Sequence, residues 1–202
     1  MRNAELVLQR LTTFQAPAAK IFLMREQTYL VHYYSMQSPL GALLLAATEK
    51  GVCGIFLDGC RPAPKAYEVW IESEDPLRHC RLELREYFQG QLKEFTCPLD
   101  LRGTPFQERC WEALRKIPYG KVCSYADIAR EVGSPRAFRA VGQANHNNPV
   151  PIIVPCHRVV GSNGTLTGYG GGLSVKEKLL QLEGSLNHPS PLFSSLPLGR
   201  AR

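Results

Sequence analysis

One cysteine and one histidine stand side by side in Pro155-Cys156-His157-Arg158, at the end of an apolar run through Pro149, Val150, Pro151, Ile152, Ile153 and Val154 that reads as a buried strand. A free cysteine titrates near ~8.5, so little of it is thiolate at neutral pH, and the thiolate is the nucleophile. A neighbouring base or cation changes that, and His157 and Arg158 are residues of the required kind. A small buried hydrophobe is the usual fate of a lone cysteine, and adjacent residues on an extended chain point apart, so the pair by itself favours that reading over a nucleophile. A second residue with chemical promise is Glu183. Ser174-Val175-Lys176-Glu177 reads as a capping box that opens a helix, with Val175, Leu179 and Leu182 on one face and Gly184 just past its end. Glu183 then sits at the negative end of the helix dipole, a placement that costs about 0.3–1 kcal/mol when exposed. A protonated histidine facing it would remove the conflict, and an exposed glutamate without a role is the alternative.

The elements that must carry these residues follow from periodicity. Residues 1–28 show a weak helical pattern and then Ala/Pro-rich sequence, and are expected to form an appended arm. Short β-prone runs at Tyr29–Tyr34, Leu43–Thr48 and Val52–Leu57, separated by Ser38-Pro39-Leu40-Gly41 and Glu49-Lys50-Gly51, read as antiparallel hairpin strands. Asp75-Pro76 opens an amphipathic helix through Leu77, Cys80, Leu84, Tyr87 and Phe88 that stops at Gly90, and an extended piece over residues 93–101 leads to a boundary near Gly103. Thr104-Pro105-Phe106-Gln107 combines an N-cap, a proline at N1 and a capping-box glutamine. The helix it starts ends at Pro118-Tyr119-Gly120. Ser124-Tyr125-Ala126-Asp127 repeats the cap for a short helix to Val132, Gly133 turns the chain, and Pro135 is expected to open a further helix through Asn145. Helix, tight turn and helix is the pattern of a helix-turn-helix, although ordinary helical cores share it.

Charge separates the two halves. Residues 1–103 carry 12 basic and 12 acidic side chains and residues 104–202 carry 12 and 6, so the whole formal charge of +6 lies in the second half, where an anionic partner would dock. The seven cysteines are odd in number and contain no C-x-x-C pair, which argues against a disulfide framework and a zinc knuckle. No stretch approaches the ~20 apolar residues of a membrane helix, and no signal-peptide run opens the chain. Expected from this are a reduced intracellular setting, cytoplasmic or, in a eukaryotic source, nuclear, and no membrane partner.

Pro155-Cys156-His157-Arg158, preceded by Asn148-Pro149-Val150-Pro151 and followed by Gly168-Tyr169-Gly170-Gly171-Gly172, resembles the active-site segment of the O6-alkylguanine-DNA alkyltransferases. The similarity extends over Gly103-Thr104-Pro105-Phe106-Gln107, Ser124-Tyr125, Arg139-Ala140-Val141-Gly142 and Lys176-Glu177 through Glu183-Gly184. The resemblance implies an α+β chain: an RNase H-like small α/β domain over 29–102, then a mainly helical, winged-helix-like (helix-turn-helix) domain over 103–188 with the active site and DNA-binding surface, then a disordered tail over 189–202. It implies irreversible, single-turnover transfer of an alkyl group from O6-alkylguanine in double-stranded DNA to Cys156, by a monomer without cofactor or metal, and leaves O4-alkylthymine open as a second substrate. His157 would take the thiol proton through a water and Glu183 would hold the imidazolium. Tyr125 would donate to the leaving guanine, and Asn148 would brace the turn before the nucleophile. The backbone carbonyls of Cys156 and Val159 would accept from the exocyclic amine, the Gly170 N–H would approach O6, Tyr169 would wall the pocket, and Ser124 would belong to the substrate site. Arg139 would enter the duplex where the base had been, with Arg136, Ala137 and Tyr125 also at the DNA.

Two positions depart from the family's common pattern. Phe138 replaces a smaller residue and is expected to pack into the core, and Gly170 stands where some members have serine. The zinc site of some members has no counterpart, because Cys53, Cys60 and Cys80 lack a histidine partner. Three rivals differ in kind: a damage-flagging alkyltransferase-like protein, which would lack the cysteine; a sequence-reading DNA-binding regulator; and a Cys-His hydrolase, which would turn over many times.

Overall fold

The computed structural model describes residues 29–57, 62, 65 and 68–185. The expected arm (1–28) and tail (189–202) lie outside these residues. The first half is built on a four-stranded sheet in the order β3-β2-β1-β4, formed by β1 (Tyr29–Ser38), β2 (Gly41–Thr48), β3 (Gly51–Leu57) and β4 (Glu68–Glu72). The three hairpin strands pair antiparallel, as the short turns between them require, with a bulge at Ala46/Ala47. β4, absent from the expected strands, adds in parallel to the far side of β1 as an edge strand with Val69 and Ile71 exposed.

A 3-10 turn at Asp75–Leu77 leads into helix α1 (Arg78–Phe88), whose Cys80, Leu84 and Tyr87 are buried. The piece over residues 93–101 forms no strand; it lies beside the start of β3 with one parallel bridge between Val52 and Leu99. It lies so close to the β2–β3 turn that a Cβ on Gly51 would sit 2.4 Å from the Pro98 carbonyl oxygen, so glycine is required there by space as well as by its φ of +143°.

In the second half, α2 (Pro105–Arg115) starts with the full Thr104/Gln107 capping box, and α3 (Tyr125–Glu131) starts with the Ser124/Asp127 box. Helix α4 (Phe138–His146) begins three residues later than Pro135 suggests: Ser134 accepts from the Ala137 N–H, and the chain closes a turn before the helix starts. A two-residue parallel pair of β5 (Cys123–Ser124) and β6 (Val159–Val160) ties the helical pair to the segment after Cys156. Helix α5 (Leu173–Leu182) is entered from Gly172 and not through a Ser174 capping box; Ser174 lies inside the first turn. Its end is a Schellman motif, with Gly184 N–H on Gln181 and Ser185 N–H on Leu180.

The halves share one apolar core running from Met36, Leu43 and Tyr87 through Trp111, Val141 and Val154 to Leu179. The free edge of β3 is used as well, because the Ile55 N–H donates to the Pro149 carbonyl at 2.9 Å. The loop that leads to Cys156 is thereby held by the first half of the chain.

Candidate functional site

The run before Cys156 is a compact loop, not the buried strand its composition suggests. Prolines at 149, 151 and 155 have no N–H to give a ladder. Ile152, at φ +78°, turns the chain between Pro151 and Val154, a left-handed conformation that a β-branched residue adopts only under constraint. The constraint is Asn148. Its Oδ1 accepts from the Val150 N–H at 3.1 Å, and its Nδ2 donates to the Val154 carbonyl at 2.8 Å and to Cys156 Sγ at 3.1 Å. One amide therefore shapes the loop and touches the sulfur at its end.

Cys156, His157 and Arg158 form a single 3-10 turn, which sends neighbouring side chains around an axis instead of to opposite sides. Cys156 is 6 % exposed and lies at the contact of two cavities. The larger, about 470 Å³, is lined by Tyr125, Phe138, Asn145, Thr167, Tyr169 and Gly170, among others. The smaller, about 230 Å³, reaches Ile55, Phe56 and Leu57 of β3.

His157 is fully buried, and its Nε2 lies 2.9 Å from Glu183 Oε1. Since Glu183 is ionised, the imidazole is a donor at Nε2, which in the neutral ring leaves Nδ1 as the acceptor. Nδ1 has no hydrogen-bond partner among the described residues, so the available base is on this nitrogen. Burial lowers the basicity of His157, the Glu183 carboxylate opposes this, and the positive charges of Arg158 and Lys176 add to the lowering. The resting ring is neutral and ready to take a proton.

Glu183 joins the site to both halves. Arg158 Nε donates to its Oε2 and Arg158 Nη2 to its Oε1, both at 2.9 Å, and the Tyr87 hydroxyl of α1 donates to Oε1 at 2.7 Å. Burial alone would make this carboxyl a weaker acid, but the hydrogen bonds and charges of His157 and Arg158 outweigh it and hold the pKa at about 2. The unfavourable position at the helix end is thus matched by a buried guanidinium as well as by the histidine. Cys156 itself is pushed up by burial, with the Asn148 hydrogen bond and the Lys176 charge pulling the other way.

Lys176 stands in the expected cap and in the segment similar to the family, with no role assigned to its side chain. It is fully buried, and its Nζ donates to the Val159 carbonyl at 2.5 Å and the Thr167 carbonyl at 2.8 Å. Burial brings its pKa down to about 8, against the opposing pull of Cys156 and Cys123. A lysine at i with Leu179 and Leu180 at i+3 and i+4 stands on an apolar stripe, and that was the signal available. Tyr87 gave none, being one more aromatic residue on a core-facing helix.

The remaining candidates are distributed unevenly. Tyr125 lines the larger cavity, its hydroxyl making long contacts of 3.4 and 3.5 Å with the Thr167 and Gly168 carbonyls. Tyr169 and Gly170 line both cavities, and a Cβ on Gly170 would meet only the His146 carbonyl at 4.0 Å, so the position has room for serine. Val159 presents a carbonyl that already accepts from Lys176, and the Cys156 carbonyl already accepts from the Val159 N–H; each keeps a second lone pair. Ser124 caps α3, its hydroxyl donating to Asp127 Oδ2 at 2.7 Å and accepting from the Asp127 N–H at 3.1 Å, and it does not line either cavity. Arg136 and Arg139 are exposed at the start of α4, with Ala137 between them partly covered. Phe138 corrects an expectation: it is 49 % exposed, lines the larger cavity and does not pack into the core, because α4 buries its Val141 and leaves Phe138, Arg139 and Ala140 of its first turn exposed. Among the described residues no group of three His, Cys, Asp or Glu side chains could hold a metal ion.

Comparison with known proteins adds to this geometry. The family model described as 6-O-methylguanine DNA methyltransferase, ribonuclease-like domain, matches residues 31–101, and that for the DNA binding domain of the same family matches residues 105–185. A methylated-DNA--protein-cysteine methyltransferase from Methanosarcina acetivorans is 47% identical over 156 residues, covering 77% of this chain and 99% of the relative. The protein of that name from Mycobacterium tuberculosis H37Rv is 47% identical over 160 residues, covering 77% and 94%. The crystal structure of Mycobacterium tuberculosis OGT in complex with DNA aligns with a TM-score of 0.70 at 44% identity, over 80% of this chain and 96% of that one.

Proposed function

The chain belongs to the 6-O-methylguanine DNA methyltransferase family, and from that premise we propose that it repairs DNA by direct reversal, moving the alkyl group of O6-alkylguanine to Cys156 once per molecule. The observation that carries the reading is the placement of Cys156 Sγ at the floor of a cavity, hydrogen-bonded to Asn148, beside a buried His157–Glu183 pair with a free imidazole nitrogen.

The thiol proton passes to His157 Nδ1 through a water, and Glu183 steadies the imidazolium that results. Sulfur attacks the alkyl carbon from behind as the carbon–O6 bond breaks, and the electron pair of that bond goes to guanine. Tyr125, whose hydroxyl burial keeps protonated, gives its hydrogen to the ring so that guanine leaves neutral, and the proton held by the imidazolium returns through water to the phenolate. The Gly170 N–H faces O6, the carbonyls of Cys156 and Val159 receive the exocyclic amine on their second lone pairs, and Tyr169 walls the site. The product is a thioether, which water does not cleave, so the protein acts once.

The target carbon is inside the duplex, and rotating the nucleotide out costs a few kcal/mol, offset by phosphate and pocket contacts. Arg139, exposed and next in sequence to the cavity-lining Phe138, fills the vacated stack, and Arg136 and Ala137 lie at the backbone. The reading takes a DNA duplex and a monomer, with no cofactor in the chemistry.

Incubation with a duplex containing O6-methylguanine should add about 14 Da to the peptide holding Cys156, at about one equivalent per molecule. Turnover well beyond one equivalent would point to the hydrolase instead. Arg139→Ala should slow repair of the duplex by about tenfold or more while leaving reaction with free O6-benzylguanine nearly unchanged. Equal losses on the two substrates would remove the base-flipping role.

A further inference from the structure

Buried polar atoms without partners are rare in folded proteins, and each one calls for a reason. Six buried side-chain nitrogen or oxygen atoms among the described residues lack a hydrogen-bond partner, and four of them surround Cys156: His157 Nδ1, the Tyr169 hydroxyl, and both Nδ2 and Oδ1 of Asn145. His157 Nδ1 has its use in the chemistry above. Asn145 has none. It sits in the last turn of α4, lines both cavities that meet at Cys156, and leaves a complete amide, donor and acceptor, desolvated and unpaired. Leaving such a group unsatisfied costs about as much as a lost hydrogen bond per atom, which a ligand of complementary chemistry would restore.

We propose that Asn145 is a substrate-recognition residue whose amide pairs with the N1 and 2-amino edge of O6-alkylguanine in the Cys156 cavity. This rests on the reading of the site given above. The side-chain amide offers one donor beside one acceptor, so both atoms are satisfied together only by an edge offering an acceptor beside a donor. In O6-alkylguanine N1 has lost its hydrogen and is an acceptor, and the adjacent 2-amino group is a donor. Nδ2 then donates to N1, and Oδ1 accepts one hydrogen of the amine. Unmodified guanine carries hydrogen on N1 and presents two donors on this edge, which puts one of them against Nδ2. The same amide therefore favours the alkylated base and disfavours the repaired one. The structure gives this role room: the Val159 and Cys156 carbonyls are each already engaged once, whereas Asn145 Oδ1 accepts from no donor among the described residues. The second hydrogen of the amine remains for those carbonyls.

The test is a two-by-two comparison of the full chain and its Asn145→Leu variant, on single-stranded oligonucleotides containing either O6-methylguanine or O6-methylhypoxanthine, which lacks the 2-amino group. Leucine matches asparagine in size and removes an unpaired amide, so Tm should hold or rise. Transfer to Cys156 from O6-methylguanine should fall by about 10- to 100-fold, the range of a bidentate base contact. Transfer from O6-methylhypoxanthine should fall clearly less, since half of the contact is already gone. Equal losses on both bases, no loss on either, or a marked drop in Tm would each overturn the role of Asn145 while leaving Cys156 as acceptor. Absence of transfer in the unsubstituted chain would overturn the reading of the site, and this inference with it.

Discussion

Replacing His157 with glutamine is expected to slow alkyl transfer to Cys156 by about 100- to 10,000-fold, the usual share of a positioned general base. Burial keeps the Cys156 thiol less acidic than a free cysteine, so at neutral pH it depends on another group to take its proton. Among the described residues the adjoining His157 keeps an Nδ1 without a hydrogen-bond partner, held as an acceptor by the Nε2 contact to Glu183. The pH profile should separate this from a structural effect. In the unsubstituted protein, transfer is lost as pH falls through the His157 pKa, which burial places below the ordinary histidine value, and is flat above neutrality. In His157→Gln the residual rate should climb about tenfold per pH unit from neutral into the alkaline range, because the thiol must ionise unaided. A stopped-flow or quench series with O6-benzylguanine measures both; an unchanged rate or a flat profile in the variant would remove His157 from the chemistry.

Loss of the Glu183 carboxylate should produce the largest effect on stability. Glu183→Ala leaves the Arg158 guanidinium, the Tyr87 hydroxyl and His157 Nε2 in a dry site without their common acceptor. Breaking a buried pair by removing one partner costs about 3–5 kcal/mol, equivalent to a fall in Tm of roughly 6–20 °C for a chain of this size. The pH dependence has a definite sign. The Glu183 pKa is depressed to about 2 from an ordinary value of 4.5, so its contribution is fully present above the unfolded value and is lost as pH falls from about 4.5 towards 2. That loss is on the order of 3 kcal/mol. Thermal unfolding followed by circular dichroism between pH 5 and 2.5 should show a steep acid limb that Glu183→Gln flattens. The same slope in both proteins would mean that the carboxylate is not the group that responds. Because the Tyr87 bond crosses from α1 to α5, unfolding of the sheet-bearing half should also release Glu183 and with it the tautomer of His157.

Much of this was readable in the chain. The hairpin strands, the capping boxes at Thr104 and Ser124 and the glycine stop at Gly184 are set by local physics: alternation, side-chain caps and left-handed φ act over a few residues and need no tertiary partner. The Cys-His pair and the misplaced glutamate were visible for the same reason, since thiol chemistry and a helix dipole are properties of residue type and position. Other features depend on atoms that only folding brings together. The loop before Cys156 looks like a strand because Ile and Val favour extended backbone, yet three prolines and the Asn148 amide turn it back on itself. Arg158 and Tyr87 reach Glu183 across 25 and 96 positions of sequence, a convergence no local pattern encodes. The same holds for Phe138, exposed and lining the cavity, and for Asn145, whose amide is significant only because it has no partner among the described residues. Residue chemistry and short-range geometry are written along the chain, whereas the partner of a buried polar group is a fact about three dimensions.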